Sequence, residues 1–187
     1  MPESNYHLYD TLFKKTLTLS KVAVINLING LFGTDYSTDS EITYHWTEFQ
    51  NEELRRTLAD EYKLLLDFGE QGTFLYRVPV IRFQSLSAEE INDRKLAALL
   101  PFRLLQLRER IRKNRSQKNV EALKNLIQND IIKGINNNLT EGNITKYDAA
   151  KLKKYTHELY GRVYSRYEEM EELKRELASK QAGFPRP

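Results

Sequence analysis

The chain contains no cysteine, which excludes disulfides, thiolate metal sites and cysteine nucleophiles together. Histidine is scarce: His7, His45 and His157 lie far apart, so no local motif supports a histidine-rich metal centre. With 8 glycines the chain also lacks a phosphate-cradling glycine loop, and it has no Gly-x-Ser-x-Gly elbow and no zinc-helix signature. Long hydrophobic runs are missing. Leu64–Leu66 and Leu96–Leu100 fall far short of the ~20 apolar residues that a membrane span needs. The first ten residues have neither the basic nor the apolar region of a secretory signal. A cytoplasmic protein without membrane contact is therefore expected.

What is present is charge, unevenly spread. A chain of 187 residues can form one compact domain with a helical appendage, and its mean hydropathy of −0.62 marks it as surface-rich. The net charge of +3 hides an asymmetry. Met1–Asp67 carries eleven acids against six Lys and Arg, whereas Arg103–Lys124 carries eight Lys and Arg against Glu109 and Glu121 alone. The basic block is either a phosphate-facing surface or a solvated helix face, and charge alone leaves both open. If it meets DNA, the contacts are expected from Arg108, Arg110, Arg112, Lys113 and Arg115.

Strand formers concentrate between Arg55 and Phe83. Tyr62, Leu64 and Leu66 alternate with Lys63, Leu65 and Asp67, and Phe74, Tyr76, Val78, Val80 and Ile81 follow after Gly69-Glu70-Gln71-Gly72. Two glycines at that spacing predict an antiparallel hairpin, with Pro79 at an edge or bulge. Glu41–Phe49 reads as a further strand, with His45 as an ordinary strand residue.

The remainder reads as helix. Asp10 is a candidate cap for a short helix through Lys15. Ser20 caps a helix that carries Val22, Ile25, Ile28, Leu31 and Phe32 and stops at Gly33. Gly33 to Ser40 reads as a polar loop. Ser87 and Glu90 form a capping box for a helix that runs to a break at Pro101. Phe102–Asn114 continues with Leu104, Leu105, Leu107 and Ile111 among Arg103, Arg108, Arg110, Arg112 and Lys113. Gln117–Asn136 places Val120, Leu123, Ile127, Ile131 and Ile135 on one stripe, and Asn136-Asn137-Asn138 reads as the start of a loop. Thr145 and Asp148 begin a long helix to about Ser179, with Leu152, Tyr155, Leu159, Val163, Met170, Leu173 and Leu177 on its apolar face. Tyr160, Arg162, Tyr164, Arg166 and Tyr167 interleave in it, either as part of a core stripe or as a base-stacking surface. Glu168–Glu176 has a short heptad flavour, and the tail from Gly183 is expected to fray.

Asp60, preceded by Arg55 and Arg56, resembles the first acidic block of the PD-(D/E)XK nuclease superfamily. More narrowly, the chain resembles the recombination-promoting nuclease / putative transposase family of bacteria. Three stretches carry the likeness: Asp10–Lys14 with Leu27–Gly33, then Arg55–Asp60, then Tyr76–Phe102. The resemblance implies DNA as the partner, Mg²⁺ as the cofactor, and Asp60 as a catalytic and metal-binding acid. It also implies a second (Asp/Glu)-x-(Lys/Gln) pair on the next strand, because a hard divalent ion needs several oxygen ligands and the water needs orienting.

That pair is missing here. Thr73–Phe83 contains no acid; Arg77 and Arg82 stand there instead, and Gln84 has no acid two residues before it. Glu61-x-Lys63 has the right letters, but it shares a strand with Asp60, and alternation would point Glu61 to the other face. Glu48, Asp67 and Glu70 are the remaining carboxylates near Asp60. An internal deletion of the catalytic centre explains this pattern, with Asp60 left as a vestige; alternatively, Asp60 is a charged strand residue paired with Arg55 or Arg56. The expected fold class is α+β: a small antiparallel sheet flanked by N-terminal helices, with a mainly helical C-terminal half. The expected division is a truncated nuclease-like region over residues 1–102 and a helical region over 103–187. The expected function is DNA binding by a shortened, inactive nuclease relative. The alternative is a non-catalytic helical module that uses Arg103–Arg115 to bind nucleic acid or the Thr145–Ser179 helix to self-associate.

Overall fold

A computed structural model describes residues 14–43, 61–67, 73–79, 86–170, 173 and 175. The chain divides into two compact units, one of residues 1–40 with 84–187 and one of residues 41–83. Phe102 and Arg103 both lie inside the first unit, within a single helical segment.

The second unit contributes two strands, β1 (Glu61–Asp67) and β2 (Thr73–Pro79), paired antiparallel with Glu61 opposite Pro79, Leu64 opposite Tyr76 and Asp67 opposite Thr73. The expected hairpin pairing is present. The glycines of its turn lie outside the described residues, as do Tyr44–Phe49 with His45, while Glu41–Thr43 are irregular and not strand.

Every regular element of the first unit, among the described residues, is helical. It holds α1 (Lys21–Phe32), α2 (Ala88–Asp93), a 3₁₀ segment (Ala97–Leu107), α3 (Arg108–Lys113), α4 (Gln117–Asn125), a π segment (Leu126–Ile132), α5 (Lys133–Thr140), α6 (Lys146–Tyr164) and a 3₁₀ turn (Glu168–Met170). The protein is therefore mainly helical, and the expected α+β class is corrected. The core of the first unit, from Val24 and Leu27 through Leu100, Leu104, Ile127 and Leu159, is helix on helix. Among the described residues the sheet is two paired strands, a ribbon and not the layer that an α+β fold requires.

Three helix starts follow from local chemistry. Ser20 Oγ accepts from the Ala23 amide, and Gly33 closes α1 in the left-handed conformation, φ 66°, with its amide on Asn29 O at 2.8 Å. At α2, Ser87 Oγ accepts from the Glu90 amide (3.0 Å) while Glu90 Oε2 accepts from the Ser87 amide (2.7 Å). Thr145 and Asp148 repeat this reciprocal box at α6 (3.2 and 2.9 Å).

Elsewhere packing overrides the local pattern. The helix begun at Ser87 ends at Asp93; Lys95 takes φ 57° and the chain turns into the 3₁₀ segment, with Pro101 inside it. The expected single helix to a break at Pro101 is thus corrected. Proline has no amide to donate and disfavours α geometry in the residue before it. Leu96, Ala97, Leu100 and Leu104 are all fully buried, so this segment is a strap through the middle of the unit, packed against each of the six helices. Gly30 allows α1 to lie close to its entry: a Cβ there would overlap the Arg94 carbonyl oxygen and crowd Leu96. The Arg94 side chain also donates twice to Gly30 O, at 3.0 and 2.5 Å.

Of the expected stripe, Leu123, Ile127, Ile131 and Ile135 are fully buried, while Val120 is half-buried. The helix runs on to Thr140, however, so the loop expected at Asn136–Asn138 is corrected. Asn138 is buried and donates to Gly134 O (2.9 Å) and Asn92 Oδ1 (2.7 Å), which keeps a turn-forming residue inside the helix. The helix begun at Thr145 ends at Tyr164, so the single helix expected to about Ser179 is corrected; a 3₁₀ turn follows, and Leu173 and Arg175 are again helical.

Asp148 ties the two ends of this unit's sequence together. Its carboxylate accepts from the Ser20 amide (2.7 Å) and Ser20 Oγ (2.5 Å), and from the Thr145 amide (2.9 Å) and hydroxyl (2.8 Å). Burial pushes this carboxyl up, and the hydrogen bonds from Ser20 and Thr145 outweigh it, holding the group below the ordinary aspartate value. A depressed carboxyl contributes stability above its unfolded pKa, about 3.9, and loses it as pH falls through the lower folded value. Asp148→Asn is expected to cost roughly 2–3 kcal/mol at pH 7. In urea unfolding, the gap to wild type should narrow steadily below about pH 4, as the wild-type carboxylate protonates. A gap that stays constant down to pH 2 would contradict the linkage.

Candidate nucleic-acid interface

The basic block falls on α3 and its junction with α4. Ile111 is fully buried and fixes the rotation of this short helix. Its immediate neighbours on a 3.6-residue period, Arg110 and Arg112, must then project sideways into solvent, while Arg108, one turn back, leans toward the body. Arg110, Arg112, Lys113 and Arg115 are exposed and Arg108 is half-buried. Cations in the last turn also complement the C-terminal end of the helix dipole.

Carboxylates already answer two of these charges. Arg112 pairs with Glu109 at 2.5 Å, and Arg115 Nε reaches Glu169 at 3.3 Å. All four side chains are well exposed, so neither pair holds its arginine firmly. Arg115 also lies over the Tyr167 ring, 5.2 Å from its centroid. The sequence carries no signal for that contact, which joins distant parts of the chain.

Arg103 belongs to the same basic stretch of sequence but not to this surface. It is buried in the strap, donating to Leu86 O (2.7 Å) and Asp130 Oδ2 (2.8 Å). Tyr160 and Tyr164 are likewise buried, and their hydroxyls donate to Met170 O (2.7 Å) and Leu104 O (2.5 Å). Neither ring is open to a base. The apolar stripe of α6, Leu152, Tyr155, Leu159 and Val163, is also buried within the chain itself.

Asp60 lies outside the described residues, together with Arg55, Arg56, Glu48 and Glu70. The acidic residues Glu61 and Asp67 stand at opposite ends of the seven-residue strand β1. The paired strand β2 has none, and Arg77 is the residue opposite Lys63. Among the described residues no group of three or more His, Asp or Glu gathers to hold a metal, and no helix is long and apolar enough to cross a membrane. Comparison with protein families, curated proteins and solved structures finds no match to this chain.

The distinction between Arg103 and the exposed arginines can be measured. Asp130→Asn removes the carboxylate from a buried guanidinium and is expected to cost about 1.5–3 kcal/mol of stability. It should leave affinity for duplex DNA unchanged at a temperature where the variant is folded. A loss of DNA affinity without a loss of stability would place Arg103 at the interface.

Proposed function

We propose that this chain is a cytoplasmic, shortened relative of the PD-(D/E)XK nuclease / putative transposase family that binds duplex DNA and does not cleave it. The observation that carries DNA binding is the exposure of Arg110, Arg112 and Lys113 on a helix anchored by the single buried residue Ile111. A phosphate backbone is the partner such a surface fits, because each cation that meets a phosphate releases condensed counterions. Kinship with the nuclease family rests on the stretches around Asp10, Leu27–Gly33, Asp60 and Tyr76–Phe102. The lack of cleavage rests on β2, whose residues Thr73–Pro79 supply no carboxylate beside β1. Phosphodiester hydrolysis needs a metal-activated water and charge stabilisation at phosphorus. One aspartate at position 60 would leave the ion held chiefly by water.

Duplex binding by the purified protein should weaken with salt, with a log–log slope of about −2.7 if three side chains each meet a phosphate. Arg110→Gln with Lys113→Gln should make that slope shallower by about 1.8. Plasmid incubated for hours with Mg²⁺ or Mn²⁺ should remain unnicked, for wild type and Asp60→Ala alike. Metal-dependent nicking abolished by Asp60→Ala would show an intact catalytic site. Duplex affinity that is absent at low salt, or unmoved by the double substitution, would refute the interface.

A further inference from the structure

Tyr167 lies just beyond the C-terminal end of α6, fixed by its own backbone. Its amide donates to Tyr164 O at 3.1 Å, and its carbonyl accepts from the Met170 amide at 3.0 Å. Two guanidinium groups lie against its half-buried ring: Arg115 from the α3–α4 junction at 5.2 Å and Arg166 at 4.9 Å from the centroid. One ring therefore has beside it an arginine from the basic block and an arginine from just past the end of α6. Arg166 is exposed, and no ion pair of it occurs among the described residues.

A guanidinium stacked on an aromatic ring is positioned without using up its N–H donors, which lie along its edge. Arg115 and Arg166 lie within cation–π distance of the ring and keep N–H donors with which to bond an anion. Part of the Arg115 edge faces Glu169 at 3.3 Å, in a pair exposed enough to exchange. A phosphate oxygen offers the same acceptor chemistry as that carboxylate, and the guanidinium fork suits both.

We propose that Arg166 is part of the DNA-binding surface, with Tyr167 a positioning residue that holds Arg115 and Arg166 for phosphates of a duplex backbone, and with Glu169 displaced from Arg115 on binding. The assignment rests on the DNA-binding function proposed above and extends that surface from α3 to the end of α6. Phosphate is the group recognised, so the contact adds affinity and register and carries no sequence preference.

Fluorescence anisotropy with one duplex oligonucleotide across a salt series tests this, with thermal unfolding run on every variant. Arg166→Gln should make the salt slope shallower by about 0.9. Tyr167→Phe should bind as wild type, because the ring remains. Tyr167→Leu should weaken binding by roughly two- to fivefold. Glu169→Gln should tighten it. If Arg166→Gln and Tyr167→Leu bind as wild type while Arg110→Gln is weakened, the interface ends at α3 and the extension is overturned. If the wild type shows no salt-dependent duplex binding, the DNA-binding function fails and the extension with it. Arg166 is exposed, so its substitution reads the interface and not the fold, whatever Tyr167→Leu does to stability.

Discussion

The helical unit depends on one constraint: a proline-bearing, mainly apolar segment must cross its centre. From Leu96 to Leu104 almost every residue is buried, and the only charged one, Arg103, is answered by Asp130 and a backbone carbonyl. A buried α-helix is denied to this stretch by Pro101, so it takes the tighter 3₁₀ form. The helices arrange themselves around the strap. Gly30 lets α1 approach its entry, Gly134 sits against Leu100, and the Tyr164 hydroxyl caps the Leu104 carbonyl. The first two are close packing that a side chain would prevent, and the third satisfies a hydroxyl and a carbonyl that burial would otherwise leave at a cost.

The candidate interface is a consequence of the same packing. The strap runs directly into α3, whose Ile111 stays in the core and so turns its arginines outward. Rigid support from the core matters for a phosphate-binding surface, because side chains held on an anchored helix lose less freedom on binding. The carboxylates of Glu109 and Glu169 moderate the charge locally without neutralising it. Acidic residues elsewhere keep the whole chain near neutral, at +3, so any attraction to DNA is a property of this surface and not of the overall charge.

What could be read from the sequence was local. The caps at Ser20, Ser87 and Thr145, the stop at Gly33 and the stripe through Ile127 and Ile131 all depend on neighbours within a few residues. The pairing of β1 with β2 was legible for the same reason, whereas the fold class was not, since a ribbon and a layer share one local pattern. The strap was read as two helices meeting at proline because its burial is a tertiary fact. Steps of four residues from Leu123 to Ile135 drift by roughly 40° each on an α-helix, and the wider π turn at Leu126–Ile132 absorbs that drift. Asn136–Asn138 looked like a loop because the partners of Asn138, Asn92 and Asn143, are supplied by other parts of the chain. Of the site, the exposure of Arg110, Arg112 and Lys113 follows from Ile111, but the meeting of Arg115 with Tyr167 has no sequence signature.

The central claim is that duplex DNA is met by the surface built on α3. Amide chemical shifts of isotope-labelled protein, followed while a short duplex is titrated in at low salt, test it most directly. The account predicts shifts concentrated in residues 108–118 and around Tyr167, with the strap residues Leu96–Leu104 unmoved. Shifts concentrated elsewhere in the chain, or a spectrum unchanged at saturating duplex, would contradict it.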